Sequence, residues 1–286
     1  MSVTALTIED ALRDAARRFA AAGIETPRGE ARLLLLHVLG CSRETLLSRS
    51  DRALEREAAR RFEALVARRA RREPLAYLTG VREFWSLSFE VSPATLIPRP
   101  DSETLIEAVL AALDDRVAPL RLLDFGTGTG CLLLALLSEL PRGFGIGVDA
   151  SEAALAVARR NAARHGLGGR SAFVGGSWGA ALEGVFDVIV ANPPYVAAGE
   201  AGAMQPEVAG FEPPHALFAG RDGLAAYRAL APDLARLLAP GGVAALELGV
   251  GQADAVARIM EAAGLTETGR RRDLAGIERC ALFGRR

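Results

Sequence analysis

The sequence predicts an α/β protein built on a doubly wound, mostly parallel sheet, with a small all-helical segment ahead of it. Three observations carry that prediction. Strand-like and helix-like patterns take turns from about residue 121 to residue 263, the segment before residue 74 has helical periodicity and no strand pattern, and turn-forming motifs fall just after strands. Sheets of this kind bind ligands beyond the carboxyl ends of their strands, so motifs there are candidates for chemistry.

In the first segment, Ile8, Leu12, Ala15, Phe19 and Ala22 share one helical face, with Thr7 and Asp10 placed to form a capping box. A second helix is expected over residues 31–39, closed by Gly40, and a third, arginine-laced one over 51–71, stopping before Pro74. Residues 1–73 therefore read as a helical domain. The β-prone Tyr77, Phe84, Trp85, Leu87, Phe89 and Val91 read as a hairpin linker within residues 74–95. Residues 96–286 form the sheet domain, with strands expected at 121–125, 145–149, 171–174, 186–191 and 243–248. Helices are expected between them at 131–139, 152–164, 224–238 and 253–263.

Composition excludes several chemistries. The chain has 286 residues, half of them hydrophobic, and a net charge of −1, which fits a globular protein with a sizeable core. It contains no lysine, so all 34 basic residues are arginine. A Walker A loop, a Schiff-base or pyridoxal phosphate enzyme, and a protein kinase all require a lysine and are ruled out. Cys41, Cys131 and Cys280, with His37, His165 and His215, lie far apart at no metal-ligand spacing, so no metal is expected. The thiols read as apolar side chains in a reducing cytosol. The first 20 residues lack the apolar core of a signal peptide, and no apolar run approaches the roughly 20 residues that span a bilayer. A cytoplasmic protein without membrane contact is expected.

The neutral total hides an asymmetry. Residues 1–73 hold 15 arginines and 11 acids, a net of +4, and residues 74–286 hold 19 arginines and 24 acids, a net of −5. The arginines are either a solvated helical face or a docking surface for an acidic or nucleic-acid-bearing partner.

Two motifs carry the chemistry. The strand at 121–125 runs into Gly126-Thr127-Gly128-Thr129-Gly130 and then a helix, a turn that lets backbone approach a ligand and offers unpaired N–H groups. A dinucleotide fingerprint would need glycine at 131, which is Cys131, so pyrophosphate binding is disfavoured. Asp149 ends the next strand, where a carboxylate can accept both hydroxyls of a ribose. A ribose site without a pyrophosphate loop points to S-adenosylmethionine, with S-adenosylhomocysteine as product. The strand at 186–191 delivers Asn192-Pro193-Pro194-Tyr195 to the same edge. An amide or exocyclic amine is a poor nucleophile because its lone pair is delocalised. The Asn192 side-chain oxygen and the Pro193 carbonyl can hold such an NH2 with its lone pair toward a methyl donor. Pro193 and Pro194 stiffen the loop and add no competing donors, and Tyr195 can pack on the flat face of the substrate.

On these residues the chain resembles the HemK/PrmC family, protein-(glutamine-N5) methyltransferases acting on peptide chain release factors. The likeness extends to Leu96-Ile97-Pro98-Arg99-Pro100-Asp101-Ser102-Glu103, Val148-Asp149-Ala150-Ser151 and Glu212-Pro213-Pro214-His215-Ala216-Leu217. It continues through Gly220, Asp222, Gly223, Leu246-Glu247-Leu248-Gly249, Gln252, Asp273 and Arg279. The resemblance implies a Rossmann-like class I S-adenosylmethionine methyltransferase sheet and methyl transfer to the glutamine of a Gly-Gly-Gln loop in a release factor. It implies that residues 1–73 dock the protein substrate, that the cofactor lies on residues 126–130, Asp149 and Asn192, and that Asn192, Pro193, Pro194 and Tyr195 hold the glutamine. Trp178 matches the aromatic that flanks adenine in the family, and otherwise reads as a core tryptophan. The family often has Asp before that Trp, where this chain has Ser177, and Glu-Thr-Glu where it has Asp101-Ser102-Glu103. Arg99 either lines the pocket or pairs with a nearby acid, and His215 reads as a loop residue.

Asn-Pro-Pro-Tyr alone is shared with adenine-N6 DNA methyltransferases. A ribosomal-protein glutamine methyltransferase and a nucleic-acid N-methyltransferase therefore stand as alternatives, although the net charge of −5 over residues 74–286 suits nucleic acid poorly and no direct nucleic-acid partner is expected.

Overall fold

The computed structural model describes residues 6–285, so residues 1–5 of the expected helical domain and the terminal Arg286 lie outside it. The described residues divide into two compact units, one of residues 6–80 with 205–211, the other of residues 81–204 with 212–285.

The first unit is helical. Helix α1 (Ile8–Ala21) starts at Thr7, whose hydroxyl accepts from Asp10 N at 3.1 Å and donates to its carboxylate at 2.7 Å. Helix α2 (Pro27–Leu39) opens on a proline, whose missing N–H is no loss there, and closes at Gly40 in the left-handed conformation, as expected. A short helix, α3 (Arg43–Ser48), capped by Ser42, is too brief to register as periodicity in the sequence. Helix α4 (Arg56–Ala70) begins five residues later than expected, because Leu54 N is bonded to Leu6 O at 2.8 Å in an extended pairing. Phe19, Leu34, Leu35, Phe62 and Val66 fill the core between these helices. Each such side chain, fully buried, contributes roughly 1.5–3 kcal/mol.

The hairpin reading needs one correction. Tyr77 lies in a helical turn, α5 (Leu75–Thr79), that Pro74 opens and Gly80 closes at φ 74°. Local turn chemistry overrides the strand preference of one aromatic. The hairpin follows as β1 (Val81–Phe84) and β2 (Leu87–Glu90). Phe84 and Phe89 are buried in the core of the second unit. A second difference concerns chain continuity, since residues 205–211 belong to the helical unit although they lie deep in the sheet half of the sequence. Arg69, buried in α4, pairs with Glu30 at 2.5 Å and with Glu207 at 2.9 Å, and Arg72 reaches Glu207 at 2.7 Å.

In the second unit, helix α6 (Glu103–Ala112) precedes the sheet. Then come β3 (Arg121–Phe125), α7 (Cys131–Glu139), β4 (Phe144–Asp149), α8 (Glu152–Arg164), β5 (Ser171–Gly175) and β6 (Phe186–Ala191). After α9 (Pro206–Phe211) of the helical unit follow α10 (Ala225–Leu237), β7 (Leu238–Glu247), α11 (Ala253–Ala262), β8 (Thr266–Arg272) and β9 (Glu278–Gly284). The seven-stranded sheet has the order β5-β4-β3-β6-β7-β9-β8, parallel from β5 to β7, with β9 antiparallel to both neighbours. The last two strands were not expected, since polar residues such as Arg270, Arg271 and Arg272 interrupt the alternation of β8. Adjacent residues face opposite layers. Leu123 and Ile189 pack with Tyr227, Leu234 and Met260 on one face, and Leu122, Val188 and Val190 pack with Leu105, Leu133 and Leu136 on the other.

Strand order reverses between β3 and β6, which opens a crevice at their carboxyl ends. Register aligns what emerges there. Phe125 pairs with Val148 and with Ala191, and Ala191 pairs with Leu246. Gly126, Asp149, Asn192 and Glu247 each follow one of these four residues, so they leave the sheet at one level.

Candidate active site

A cavity of about 260 Å³ lies at that edge, wholly within the second unit. Its walls include Gly126, Thr127, Gly128, Thr129, Asp149, Trp178, Asn192 and Pro194, together with Arg99, Ser102 and His215. The sequence motifs that are far apart in the chain thus meet around one space. Gly130, Pro193 and Tyr195 do not line it.

The glycine turn is held from beneath. Gly126 and Thr127 donate backbone N–H to Val148 O at 2.8 and 2.9 Å, and the Thr127 hydroxyl donates to the buried Asp124 at 2.6 Å. Asp124 is pushed up to about 7, chiefly by burial, and its second oxygen has no partner among the described residues. Asn161 donates to Thr129 O at 3.0 Å and to Glu90 O at 3.0 Å, tying the turn to the hairpin. Gly130 has a different task from Gly126 and Gly128. At φ 80°, a Cβ there would meet Leu134 Cδ1 at 3.2 Å and Ala158 Cβ at 3.3 Å, so this glycine lets α7 pack closely on α8.

Asp149 presents its carboxylate at the end of β4, with one oxygen accepting from Gly128 N at 2.9 Å and the other from Ser151 N at 2.9 Å. Each oxygen keeps a lone pair for a further donor. Trp178 takes a positive φ of 48°, uncommon for a large side chain, and stands edge-on to Phe125 with centroids 6.3 Å apart. It packs against the core and also lines the cavity. Ser177 is also on the wall and offers no carboxylate there.

On the opposite wall the structure is built from side chains. Asn192 Nδ2 donates to Ser102 Oγ at 3.2 Å, and Ser102 Oγ donates to Glu247 Oε2. Tyr195 turns its hydroxyl to the other Glu247 oxygen at 3.3 Å, while Gln252 donates to its backbone carbonyl at 3.0 Å. Glu247 is 1% exposed and its carboxyl is pushed up to about 7 by burial, against hydrogen bonds from Ser102 and Tyr195 and the charge of Arg279. Tyr195 is held above its ordinary range by burial and by the neighbouring Glu247. Arg99 both lines the cavity and pairs with the buried Glu212 at 2.5 Å, whose other oxygen accepts from Ile97 N at 3.2 Å. This fixes the 96–102 loop that delivers Ser102. His215, read as a loop residue, lies in a short helical turn on the cavity wall. Cys280 is fully buried in the sheet with its thiol pushed up to about 12, which leaves it an apolar side chain. No group of ligands that could hold a metal occurs among the described residues.

Ser102, Glu212 and Glu247 stand in the motifs of the resemblance, but no role was expected for them. Glu247 carried a signal, a lone acid inside an apolar strand, and buried acids of that kind are paired or functional.

A parallel sheet with one reversed strand, a glycine turn after its first strand, an acid after its second and Asn-Pro-Pro-Tyr after its fourth together define a class I methyltransferase domain. Residues 118–267 match the family model described as a methyltransferase domain, and residues 10–80 match the one described as the PrmC N-terminal domain. The chain is 47% identical over 283 residues to the release factor glutamine methyltransferase of Rhodospirillum rubrum, covering 99% of this chain and 86% of that one. It is 44% identical to the protein of the same name from Moorella thermoacetica, over 98% of this chain and 99% of that one. The chain belongs to the release factor glutamine methyltransferase family. The crystal structure of a methyltransferase from Pyrococcus furiosus shares the fold, with a TM-score of 0.51 at 20% identity over 76% of this chain and 97% of that one.

Proposed function

We propose that this protein transfers a methyl group from S-adenosylmethionine to the side-chain amide nitrogen of a glutamine, that of the Gly-Gly-Gln motif in peptide chain release factors. The observation that carries this reading is Asn192 on a cavity wall that faces the glycine turn and Asp149, in a chain of this family. The cavity residues fit the cofactor. Gly126 and Gly128, at φ 69° and 54°, leave the wall free of side chains where a ligand must approach closely. Asp149 retains acceptor capacity for ribose hydroxyls, and the Trp178 ring offers a flat face to adenine. When bound, S-adenosylmethionine supplies an electrophilic methyl on a sulfonium.

The chain's own task is to present the nucleophile. Asn192 Oδ1 on the cavity wall and the carbonyl of the adjoining Pro193, which is outside the cavity lining, are assigned to accept the two N–H bonds of the glutamine amide and hold its lone pair toward the methyl donor. No side chain need remove a proton first, because the nitrogen becomes acidic once it is alkylated. Tyr195 supports this wall through Glu247, and Pro194 closes it. Residues 1–73 are assigned to docking the protein substrate. In that unit a groove between α1 and α2 is lined by Arg13, Arg17, Arg28 and Arg32 with Glu9, and among the described residues Arg28 and Arg32 form no ion pair with an acid. A surface of this charge suits an acidic stretch of protein. No helix among the described residues is long and apolar enough to cross a membrane.

Purified protein incubated with methyl-labelled S-adenosylmethionine and a release factor is expected to place label on one glutamine, located by peptide mass spectrometry. Label on nucleic acid but not on the factor would favour the nucleic-acid alternative.

A further inference from the structure

An asparagine amide has an oxygen end and an NH2 end of nearly the same size, and only the oxygen end can hold a substrate NH2. Nothing in Asn-Pro-Pro-Tyr itself decides which end faces the cavity. We propose that Ser102 and Glu247 are positioning residues that set this orientation, forming a directed chain of hydrogen bonds that turns Asn192 Oδ1 toward the substrate. The inference rests on the reading of Asn192 given under the proposed function.

The direction follows from counting hydrogens. Above about 7, where Glu247 is ionised, it can only accept, and this is the form in which the chain is directed. The single hydroxyl hydrogen of Ser102 is committed to Glu247 Oε2, so Ser102 Oγ has only lone pairs left for Asn192. Asn192 must then offer its NH2 to Ser102, 3.2 Å away, and its oxygen to the other side. The Tyr195 hydroxyl donates to the second Glu247 oxygen at 3.3 Å, so the carboxylate is engaged from two directions. The strand end beneath it is fixed as well, since the Tyr227 hydroxyl donates to Glu247 O at 2.7 Å. Ser102 is 3% exposed and Glu247 1%, which leaves little water to substitute for a missing member. A reversed Asn192 would set donors against donors at the substrate amide and leave a buried polar group unpaired.

The three members come from separate elements: the end of β6, the loop before α6, and the end of β7. Ser102 and Glu247 touch Asn192 or its partner and neither reacting atom, so their effect should appear in turnover and not in cofactor affinity.

The test measures kcat, KM for release factor, cofactor affinity by calorimetry and melting temperature for the full chain and four variants. Ser102→Ala is expected to lower kcat roughly 10- to 100-fold with cofactor affinity within about twofold. Ser102→Thr, which keeps the hydroxyl, should recover most of that loss. Glu247→Gln, which places a donor among the acceptors, should lower kcat several-fold and serves if Ser102→Ala does not fold. Asn192→Ala separates the two ideas. If Asn192→Ala is inactive while Ser102→Ala and Glu247→Gln turn over like the parent, the positioning chain is refuted and the Asn192 reading stands. Equal losses in Ser102→Ala and Ser102→Thr would also refute it, because the hydroxyl would not be what matters. If Asn192→Ala itself keeps full turnover, both ideas fail.

Discussion

The two walls of the cavity are made in different ways. The wall proposed for the cofactor is mostly backbone, with a glycine turn, strand-end carbonyls and N–H groups, and one carboxylate that is itself held by Gly128 N and Ser151 N. The wall proposed for the substrate is side chain on side chain, with Asn192 and Ser102 lining the cavity and Glu247 and Tyr195 behind them, drawn from three regions of the sequence. Backbone recognition tolerates many side chains but few conformations, whereas a side-chain relay tolerates movement poorly and fails when one member changes. The first wall should therefore break through affinity and folding, and the second through turnover.

The largest expected effect is on the second wall. Asn192→Ala should cut kcat by at least about 100-fold, the scale seen when a preorganised polar contact to the reacting group is removed, with cofactor affinity nearly unchanged in calorimetry. Equal loss of both would erase the distinction between the walls. Asp149→Ala should do the opposite and weaken cofactor binding by roughly 1.5–3 kcal/mol, the range for a hydrogen-bonding charged partner. It should also lower the melting temperature, because two backbone N–H groups lose their acceptor.

A third prediction concerns pH. Glu247 has its carboxyl raised to about 7 by burial, with Ser102, Tyr195, Arg279 and Asp101 as the other groups acting on it. The unfolded chain gives up this proton at the ordinary value of 4.5, and the folded chain keeps it until about 7. The stabilisation from this group is thus fully present below 4.5 and is lost as pH rises through about 7, a difference on the order of 3 kcal/mol. The stability of Glu247→Gln relative to the parent should increase between pH 5 and pH 8 in denaturant titrations, and a constant difference would remove the buried ionisation from the account. Burial raises Asp124 in the same direction, so its contribution to the parent and to the variant cancels in this comparison.

On the first wall, Gly130→Ala should destabilise by about 1–3 kcal/mol, because a Cβ is strained at φ 80° and crowds Leu134 and Ala158. Cofactor affinity per folded molecule should change little. The smallest effect is expected away from both walls, where Arg28→Gln with Arg32→Gln should raise KM for release factor a few-fold and leave cofactor affinity alone. Unchanged KM would make those arginines a solvated surface.

The same contrast explains what the sequence disclosed. The glycine turn, Asp149 and Asn-Pro-Pro-Tyr are contiguous signals, each attached to a strand with a clear pattern, and all of them reach one sheet edge. Strands β3 and β6 and helices α7 and α8 lie at their expected bounds. Ser102 and Glu247 are 145 residues apart, and Asn192 and Ser102 are 90 apart, so their relation exists only after β6 and β7 pair and the 96–102 loop is fixed by Glu212. The membership of residues 205–211 in the helical unit is hidden for the same reason, since it depends on Glu207 meeting Arg69 and Arg72. Helix α5 was missed on local grounds, because a proline and a glycine six residues apart outweigh the preference of Tyr77.

The most direct test is mass spectrometry of release factors from cells with and without this protein. The account predicts one glutamine, in the Gly-Gly-Gln motif, carrying a methyl group only when the protein is present, and carrying none when it is replaced by the Asn192→Ala variant. An unmodified glutamine in both cells, or a methyl group that persists with the variant, would contradict it.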